Sequence, residues 1–300
     1  MTGATVALLD SMDAVARIER ARAEARQRRR LATWGYGALF IGLVLLSAWV
    51  SDFSPATLAA GLPRIGEYFS LILPDLRADR LFADSETEGS LAYWMYRLDE
   101  WAWLLFETAN MAAMATLGAS AVAALLAFPA ARTVSPSPWL AAAVRRFLEI
   151  CRTVPEIVFA LIFVWAFGVG AFAGILAIAI HSAGALGKLF AEVVENADLR
   201  PVDGVVASGG TWVQAMRFGV LPQVLPNFAS YALLRFEINV RAASVIGFVG
   251  AGGIGQELYK VISFNYYEEV SAILVLIILV VAAIDLASER VRLGLIGAAR

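Results

Sequence analysis

Apolar and polar positions fall in long blocks along this chain rather than in the short periods of a soluble fold. Residues 31–50, LATWGYGALFIGLVLLSAWV, form an apolar run as long as a bilayer-crossing helix, roughly 20 residues. A mixed segment over 52–100 follows, rich in Asp, Glu, Pro and Gly. Within it, RIGEYFSLIL (64–73) is apolar enough to lie in the interface or cap an external mouth, and PDLRADRLFADSETEGS (74–90) is the most polar part. Residues 101–130 predict a second span, with Trp101 and Trp103 at its outer interface. A third is expected over 154–170, where Gly168 and Gly170 turn the chain into a fourth over 171–194. The stretch 195–222 is the least hydrophobic of the second half. A fifth apolar stretch, 223–249, ends in a glycine cluster, a short outer loop covers 256–270, and the last span occupies 271–287.

Composition supports the block pattern. Hydrophobic residues make up 60% and charged residues 17% of 300 positions, too few charges to cover the surface of a soluble protein this long. The fold class is therefore all-α integral membrane protein with about six transmembrane helices. A net charge of −2 gives no case for a nucleic-acid partner. The basic residues sort the loops. RARAEARQRRR (20–30) precedes the first span, Arg132, Arg145, Arg146 and Arg152 follow the second, and Arg290, Arg292 and Arg300 close the chain. Basic loops stay in the cytoplasm, so both termini are expected there, with 1–30 cytoplasmic, 31–51 a first transmembrane helix and 52–100 periplasmic. The first apolar run exceeds the roughly 7–15 residues of a signal-peptide core and reads as an uncleaved span. Cys151 is the single cysteine and His181 the single histidine, which excludes an intramolecular disulfide and a zinc site of the usual Cys/His kind. No internal repeat is visible, so the inverted-repeat architecture of many secondary transporters is not supported.

The cluster GFVGAGGIG (247–255) contains Gly250-x-Gly252-x-x-Gly255, the spacing that cradles a dinucleotide pyrophosphate. Glu268 and Glu269 even lie near the distance expected of a ribose-binding acid. That fingerprint has meaning only between a strand and a helix, and a long apolar segment precedes it here. Glycine also tolerates a broken or re-entrant backbone beside a cavity, so Gly250, Gly252 and Gly253 are read as a helix break or gate.

LLRFEINVRAAS (233–244) places Arg235, Glu237, Asn239 and Arg241 within a span. A charge at that depth costs about 2.5–3.5 kcal/mol even on lenient scales, so these residues face partners or a cavity. Glu237 and Arg241 have i,i+4 spacing and can pair, while Arg235 and Asn239 share a neighbouring face. Two readings stand: an ion pair that locks packing, or a polar lining in which an unpaired guanidinium meets an oxyanion. Arg235, whose one neighbour at helical spacing is Asn239, is the candidate for the anion. His181 is either a satisfied structural residue or an anion contact, and Lys188 approaches the cytoplasmic mouth. Glu156, just after Pro155, caps a helix or pairs with Arg152.

RPVDGVVASGGTWVQAMRFGVLP (200–222) suits a short helix, a glycine bend, a second short helix and a proline-marked return to the membrane. It resembles the "EAA" loop of binding-protein-dependent ABC importer permeases: Glu-Ala-Ala, three residues, Gly, nine residues, Ile-x-Leu-Pro. Asp203, Gly204 and Val205 stand at the triplet, Gly209 at the glycine, and Leu221 and Pro222 at the end. Asp203, Gly204 and Gly219 depart from the usual Glu, Ala and Ile. With RTVPEIVFALIF (152–163), HSAGALGKLFAEVVE (181–195), the stretch 219–255 and the last span, residues 105–290 resemble the permease subunits of phosphonate-type ABC importers, a branch that includes phosphite-type systems. The resemblance implies a type I importer transmembrane domain over 105–290, with a coupling loop at 197–222. It also implies a homodimer in the bacterial inner membrane, two cytoplasmic ATPase subunits and a periplasmic substrate-binding protein. ATP and Mg would sit on the ATPases; this chain would bind no cofactor and catalyse no reaction. It would pass a phosphonate-like anion across the bilayer by alternating access. A permease for another small solute, such as an amino acid, is the alternative. An integral membrane oxidoreductase built on the glycine motif is a more distant one.

Overall fold

In hydrocarbon every backbone N–H and C=O must find its partner inside the chain, and helices achieve this segment by segment. A computed structural model describes residues 3–297, and no strand occurs among them. The chain divides into two units, Met1–Phe69 and Ser70–Arg300.

The first unit holds α1 (Gly3–Val50) and most of α2 (Pro55–Ile72). One continuous helix therefore carries both the arginine-rich stretch and the apolar run, of which Ala25–Val50 is long and apolar enough to span a membrane. Within the unit its Leu39, Phe40, Leu43 and Leu46 are exposed, as a lipid-facing surface would be.

The second unit opens with a turn-rich segment that leads to α3 (Leu91–Trp94) and then α4 (Leu98–Ala130). Ala112, Ala115, Ala119, Ala123 and Ala127 on α4 are buried, and small side chains let neighbouring backbones approach closely. The main neighbour is α7 (Ala171–Glu195), reached through α5 (Pro138–Thr153) and α6 (Glu156–Phe167). The span expected over 154–170 holds the short helix α6, and α5, which ends just before it, meets it at a bend of 83°. Pro155 is the cause: its ring keeps Val154 out of the helical region, at ψ 122°, and it can donate no backbone hydrogen bond.

Beyond α7 come α8 (Arg200–Ala207), the short α9 (Trp212–Gln214), a π-turn over Ala215–Val220 and α10 (Leu221–Ile246). A 3-10 turn, Gly247–Val249, ends α10 before α11 (Ile254–Ser263) and α12 (Tyr267–Gly297). The outer loop expected over 256–270 is thus largely helix, and α11 leaves the α9–α10 rod at 46°. Among the described residues, four helices are long and apolar enough to cross a membrane, or up to six if each bent pair is one span.

Among the described residues the core gathers in four buried clusters, three of them large. One joins Trp101, Leu105, Ile254, Leu258 and Ile273, another Ala115, Ala160, Ile178, Val240 and Ile246, and a third Leu186, Phe190, Val220, Val224 and Phe228. In the third, the Phe190 and Phe228 rings stack with centroids 4.0 Å apart. Trp103 is 66% exposed, but Trp101 is fully buried and belongs to the core rather than to an interfacial belt. Its helix turns it inward because Leu105, one turn on, faces the same cluster.

Candidate functional site

The glycine cluster fixes the level from which the bundle can be measured. Gly250, Gly252 and Gly253 have φ of 85°, 83° and 70°, a left-handed run that L side chains resist. The Gly170 N–H donates to the Gly250 carbonyl at 2.9 Å, so the α6–α7 turn and the end of α10 meet at one height. The Ile254 N–H donates to Thr108 Oγ1 at 2.9 Å, which brings α4 to that same height and satisfies the first turn of α11. The cluster is a helix break packed between spans, with no strand before it to form a dinucleotide fold.

Helical rise of about 1.5 Å per residue then gives the depth of each polar group below this junction. On α10, Arg241 lies about 12 Å, Asn239 about 15 Å and Arg235 about 21 Å deep. On α6, Glu156 lies about 17 Å deep; on α7, His181 and Ser182 lie about 15–17 Å deep; on α4, Thr116 lies about 12 Å below Thr108. Measured along their helices, these groups lie at similar distances from the junction and form one polar belt across the bundle.

Part of the belt is a closed ladder. Arg235 Nε donates to Ser182 Oγ at 2.9 Å, Ser182 Oγ to Asn239 Oδ1 at 2.9 Å, and Asn239 Nδ2 to Thr116 Oγ1 at 2.8 Å. Thr116 passes its own proton to the Ala112 carbonyl at 2.6 Å. The ladder ties α10 to α7 and α4 through groups that are mostly buried, and such a satisfied network fixes helix register. Arg235 thus has a partner on another helix, which spacing along its own helix could not reveal.

The remaining charges are arranged differently from the i,i+4 expectation. Arg241 reaches Asp285 on α12 at 3.9 Å rather than Glu237, and both members are substantially exposed, 54% and 39%. Glu237 is buried, and its Oε1 has no hydrogen-bond partner. The i,i+4 geometry permits a pair but does not compel one; here α12 supplies a nearer carboxylate to Arg241. His181 Nδ1 meets the Val154 carbonyl at 3.0 Å, and its Nε2 is 3.6 Å from Glu156 Oε2. The carbonyl it meets sits next to the Pro155 break, so His181 braces the bend between α5 and α6. Glu156 turns to this histidine rather than to Arg152. Lys188, about 26 Å below the junction, pairs with Glu192 at 3.8 Å and lies outside the belt.

The second assembly surrounds α8. Gly209 has φ 83° with open space around its Cα, so its role is conformational, whereas a Cβ on Gly219 would meet Val202 backbone atoms at 3.1 Å. Gly219 therefore permits α8 to lie directly on the π-turn. Asp203 and Gly204 are exposed, Val205 and Leu221 half-buried, and Pro222 begins α10 on its outer side. Thr211 and Gln214 form a capping box, and Trp212 Nε1 donates to the Val134 carbonyl at 2.6 Å, fastening the element to the α4–α5 loop.

Several positioning residues escaped the sequence reading. Gln223 accepts from the Asp198 N–H at 3.1 Å and donates to the Asp198 carbonyl at 3.0 Å and the Gly219 carbonyl at 2.5 Å. It staples both ends of the α8 element. Arg200 holds the Asp198 carboxyl below the usual carboxylate range by hydrogen bonds from its side chain and backbone. Glu195 accepts from the Arg132 N–H at 2.7 Å and from Arg145, joining α5 to the end of α7. At the opposite end Arg97 bonds Glu100 at 2.6 Å and Glu257 at 2.8 Å, linking α4 to α11. Apart from Arg97–Glu100 and Gln223–Gly219, which have helical spacing, these contacts join groups that no helix repeat brings together.

Replacing Gln223 with Ala should loosen the α8 element without unfolding the bundle, because the lost bonds each contribute about 0.5–1.5 kcal/mol at one edge. Faster hydrogen exchange over 198–222, with unchanged exchange in α4 and α7, is the expected reading.

The family of binding-protein-dependent transport system inner membrane components matches residues 102–293. The phosphite transport system permease protein PtxC of Stutzerimonas stutzeri is 38% identical over 84% of this chain and 85% of its own length. The putative phosphite transport system permease protein HtxC of the same organism is 33% identical over 89% and 88%. The phosphate-import permease protein PhnE of Mycolicibacterium smegmatis is 34% identical over 83% of this chain and 43% of its own length. Among solved structures, an inward-facing MetNI methionine ABC transporter chain aligns with a TM-score of 0.57 at 22% identity, over 68% of this chain and 98% of that one.

Proposed function

Because this chain belongs to the binding-protein-dependent transport system inner membrane components, as a multi-pass ABC importer permease rather than an enzyme, we propose that it imports a phosphorus oxyanion of the phosphite or phosphonate class. The observation that carries the substrate class is the similarity to phosphite permeases over more than four-fifths of the chain, joined to a polar belt with an exposed arginine on α10. Guanidinium suits such an anion because its planar donors match phosphorus-bound oxygens bidentately.

In this reading the bacterial inner membrane holds two permease copies, with both termini in the cytoplasm. Two ATPase subunits, which carry ATP and Mg, dock on the α8 element. A periplasmic protein delivers the solute. Val206, Trp212, Val213 and Phe218 give the docking surface its exposed apolar contacts, and Asp203 and Gly204 lie on the same element. Closure of the ATPases pushes α8. The Gly209 bend, the Gln223 staple and the Trp212 bond pass that push to α10 and the α4–α5 loop. Arg235 and Asn239 hold helix register, Arg241 meets the anion, Glu237 sits behind the α10 surface, and His181 supports the α5–α6 bend. Gly250, Gly252 and Gly253 form the outer break about which α10 and α11 change angle, and Lys188 lies toward the inner mouth.

Two measurements test this. Single cysteines at Ser85 and Ser208, with Cys151 replaced, should label from opposite sides of the membrane; labelling of both from the periplasm contradicts the topology. ATP hydrolysis by the assembled complex should rise when its binding protein is supplied with phosphite or methylphosphonate. Stimulation by an amino acid and by neither phosphorus compound would favour the other solute class.

A further inference from the structure

Between α6 and α10 lies a cavity of about 490 Å³, lined by Pro155, Glu156, Ile157, Ile238, Arg241 and Val245 among others. Its charged groups are one carboxylate and one guanidinium, on otherwise apolar walls. Neither side chain makes a hydrogen bond among the described residues. Arg241 has Asp285 at 3.9 Å, and Glu156 has His181 at 3.6 Å, both beyond hydrogen-bonding reach. Along their helices they lie about 12 and 17 Å from the Gly170–Gly250 junction, within the polar belt. Each is held only by a long ion-pair contact, so its hydrogen-bonding capacity is left for water or a polar solute on the cavity side.

We propose that this cavity is a solute subsite selecting a singly protonated phosphorus oxyanion: Arg241 binds the anionic oxygens and Glu156 accepts a hydrogen bond from the P–OH of the same group. The proposal rests on the reading of the chain as a phosphorus-oxyanion permease. An ionised carboxylate can only accept hydrogen bonds, whereas a guanidinium can only donate. A fully deprotonated dianion would satisfy Arg241 but place its oxygens against the lone pairs of Glu156, and like-charge juxtaposition is costly. A monoanion that keeps one P–OH satisfies both walls. The apolar remainder suits a hydrogen or a short alkyl group on phosphorus.

The test uses two probes of equal charge and nearly equal shape. Methylphosphonate keeps a P–OH at pH about 6, whereas its monomethyl ester has none. Each is titrated into the solubilised permease–ATPase complex without binding protein, and affinity is read from broadening of the phosphorus NMR signal. The wild-type complex should favour methylphosphonate over the ester by about tenfold, the value of one hydrogen bond to a charged group. Glu156→Gln should bring that ratio close to one, because the amide can donate to the ester. Arg241→Gln should weaken both probes together. Glu156→Asp keeps a carboxylate, so a preserved preference in it shows that the change in Glu156→Gln is not a folding defect.

An unchanged ratio in Glu156→Gln, full affinity in Arg241→Gln, or no binding of either probe to the wild type overturns the proposal. Import of phosphite or phosphonate by the wild-type system is measured in parallel. If import proceeds while the ratio fails to move, the subsite falls and the transport reading stands; if neither compound is imported by an assembled complex, the transport reading itself falls.

Discussion

Gly255→Val is expected to remove most of the folded permease from the membrane. A Cβ at this position would lie 1.9 Å from the Ser244 carbonyl oxygen and 2.9 Å from its carbon. The obstacle is the backbone of α10, not the end of a flexible side chain, so no rotamer change relieves it. Overpacking ordinarily costs about 1–3 kcal/mol, and a clash with backbone on both sides of a helix break belongs at or above the top of that range. The break also anchors α4 through Thr108 and the α6–α7 turn through Gly170, so a displaced α11 loses those bonds as well. The monodisperse fraction after detergent extraction should fall by about tenfold or more relative to wild type, following that cost. Gly118→Ala supplies the contrast. It sits inside α4 with nothing within 4 Å of its added methyl, and alanine favours a helix by about 0.5–1 kcal/mol over glycine, so its yield should equal or exceed wild type.

Gly209→Val should have the largest effect on transport while leaving the bundle folded. At φ 83° the residue is left-handed, and nothing crowds its Cα, so the penalty is conformational, about 1–2 kcal/mol for an ordinary L residue and more for a β-branched one. That penalty falls on an exposed turn rather than on the core. The turn can escape it only by moving α8 away from the π-turn, against which Gly219 holds Val202 at close range. Extraction yield should stay near wild type, whereas stimulation of ATP hydrolysis by loaded binding protein should drop by about tenfold, the equivalent of that strain. Gly209→Asn, a residue that tolerates this conformation, should retain more of the stimulation than Val. Normal stimulation by the Val variant would show that the bend carries no coupling.

The spans were readable because hydrophobic block length maps directly onto helices that cross a bilayer. The breaks were only half readable. Pro155 and the cluster at 250–253 mark breaks by residue type, but not that the first bends the chain by 83° or that the second runs into the helix α11. The charges of α10 show the limit most clearly. Spacing offered Glu237 to Arg241, yet Arg241 lies by Asp285, 44 positions on, and Arg235 finds Ser182, 53 positions back. Interhelical partners depend on how the helices rotate against one another, and no one-helix pattern encodes that. Gln223 and Glu195 went unnoticed for the same reason: their partners are backbone groups and distant loops.

The central claim is that this permease passes phosphorus oxyanions through the α6–α10 face of the bundle. ATP-driven uptake of labelled phosphite or methylphosphonate into vesicles containing the permease, its ATPase and its binding protein tests it most directly. The account predicts uptake that requires ATP and falls sharply in Arg241→Gln although the complex still assembles. Wild-type vesicles that assemble and hydrolyse ATP but accumulate neither compound, or an Arg241→Gln complex that imports them at the wild-type rate, would contradict it.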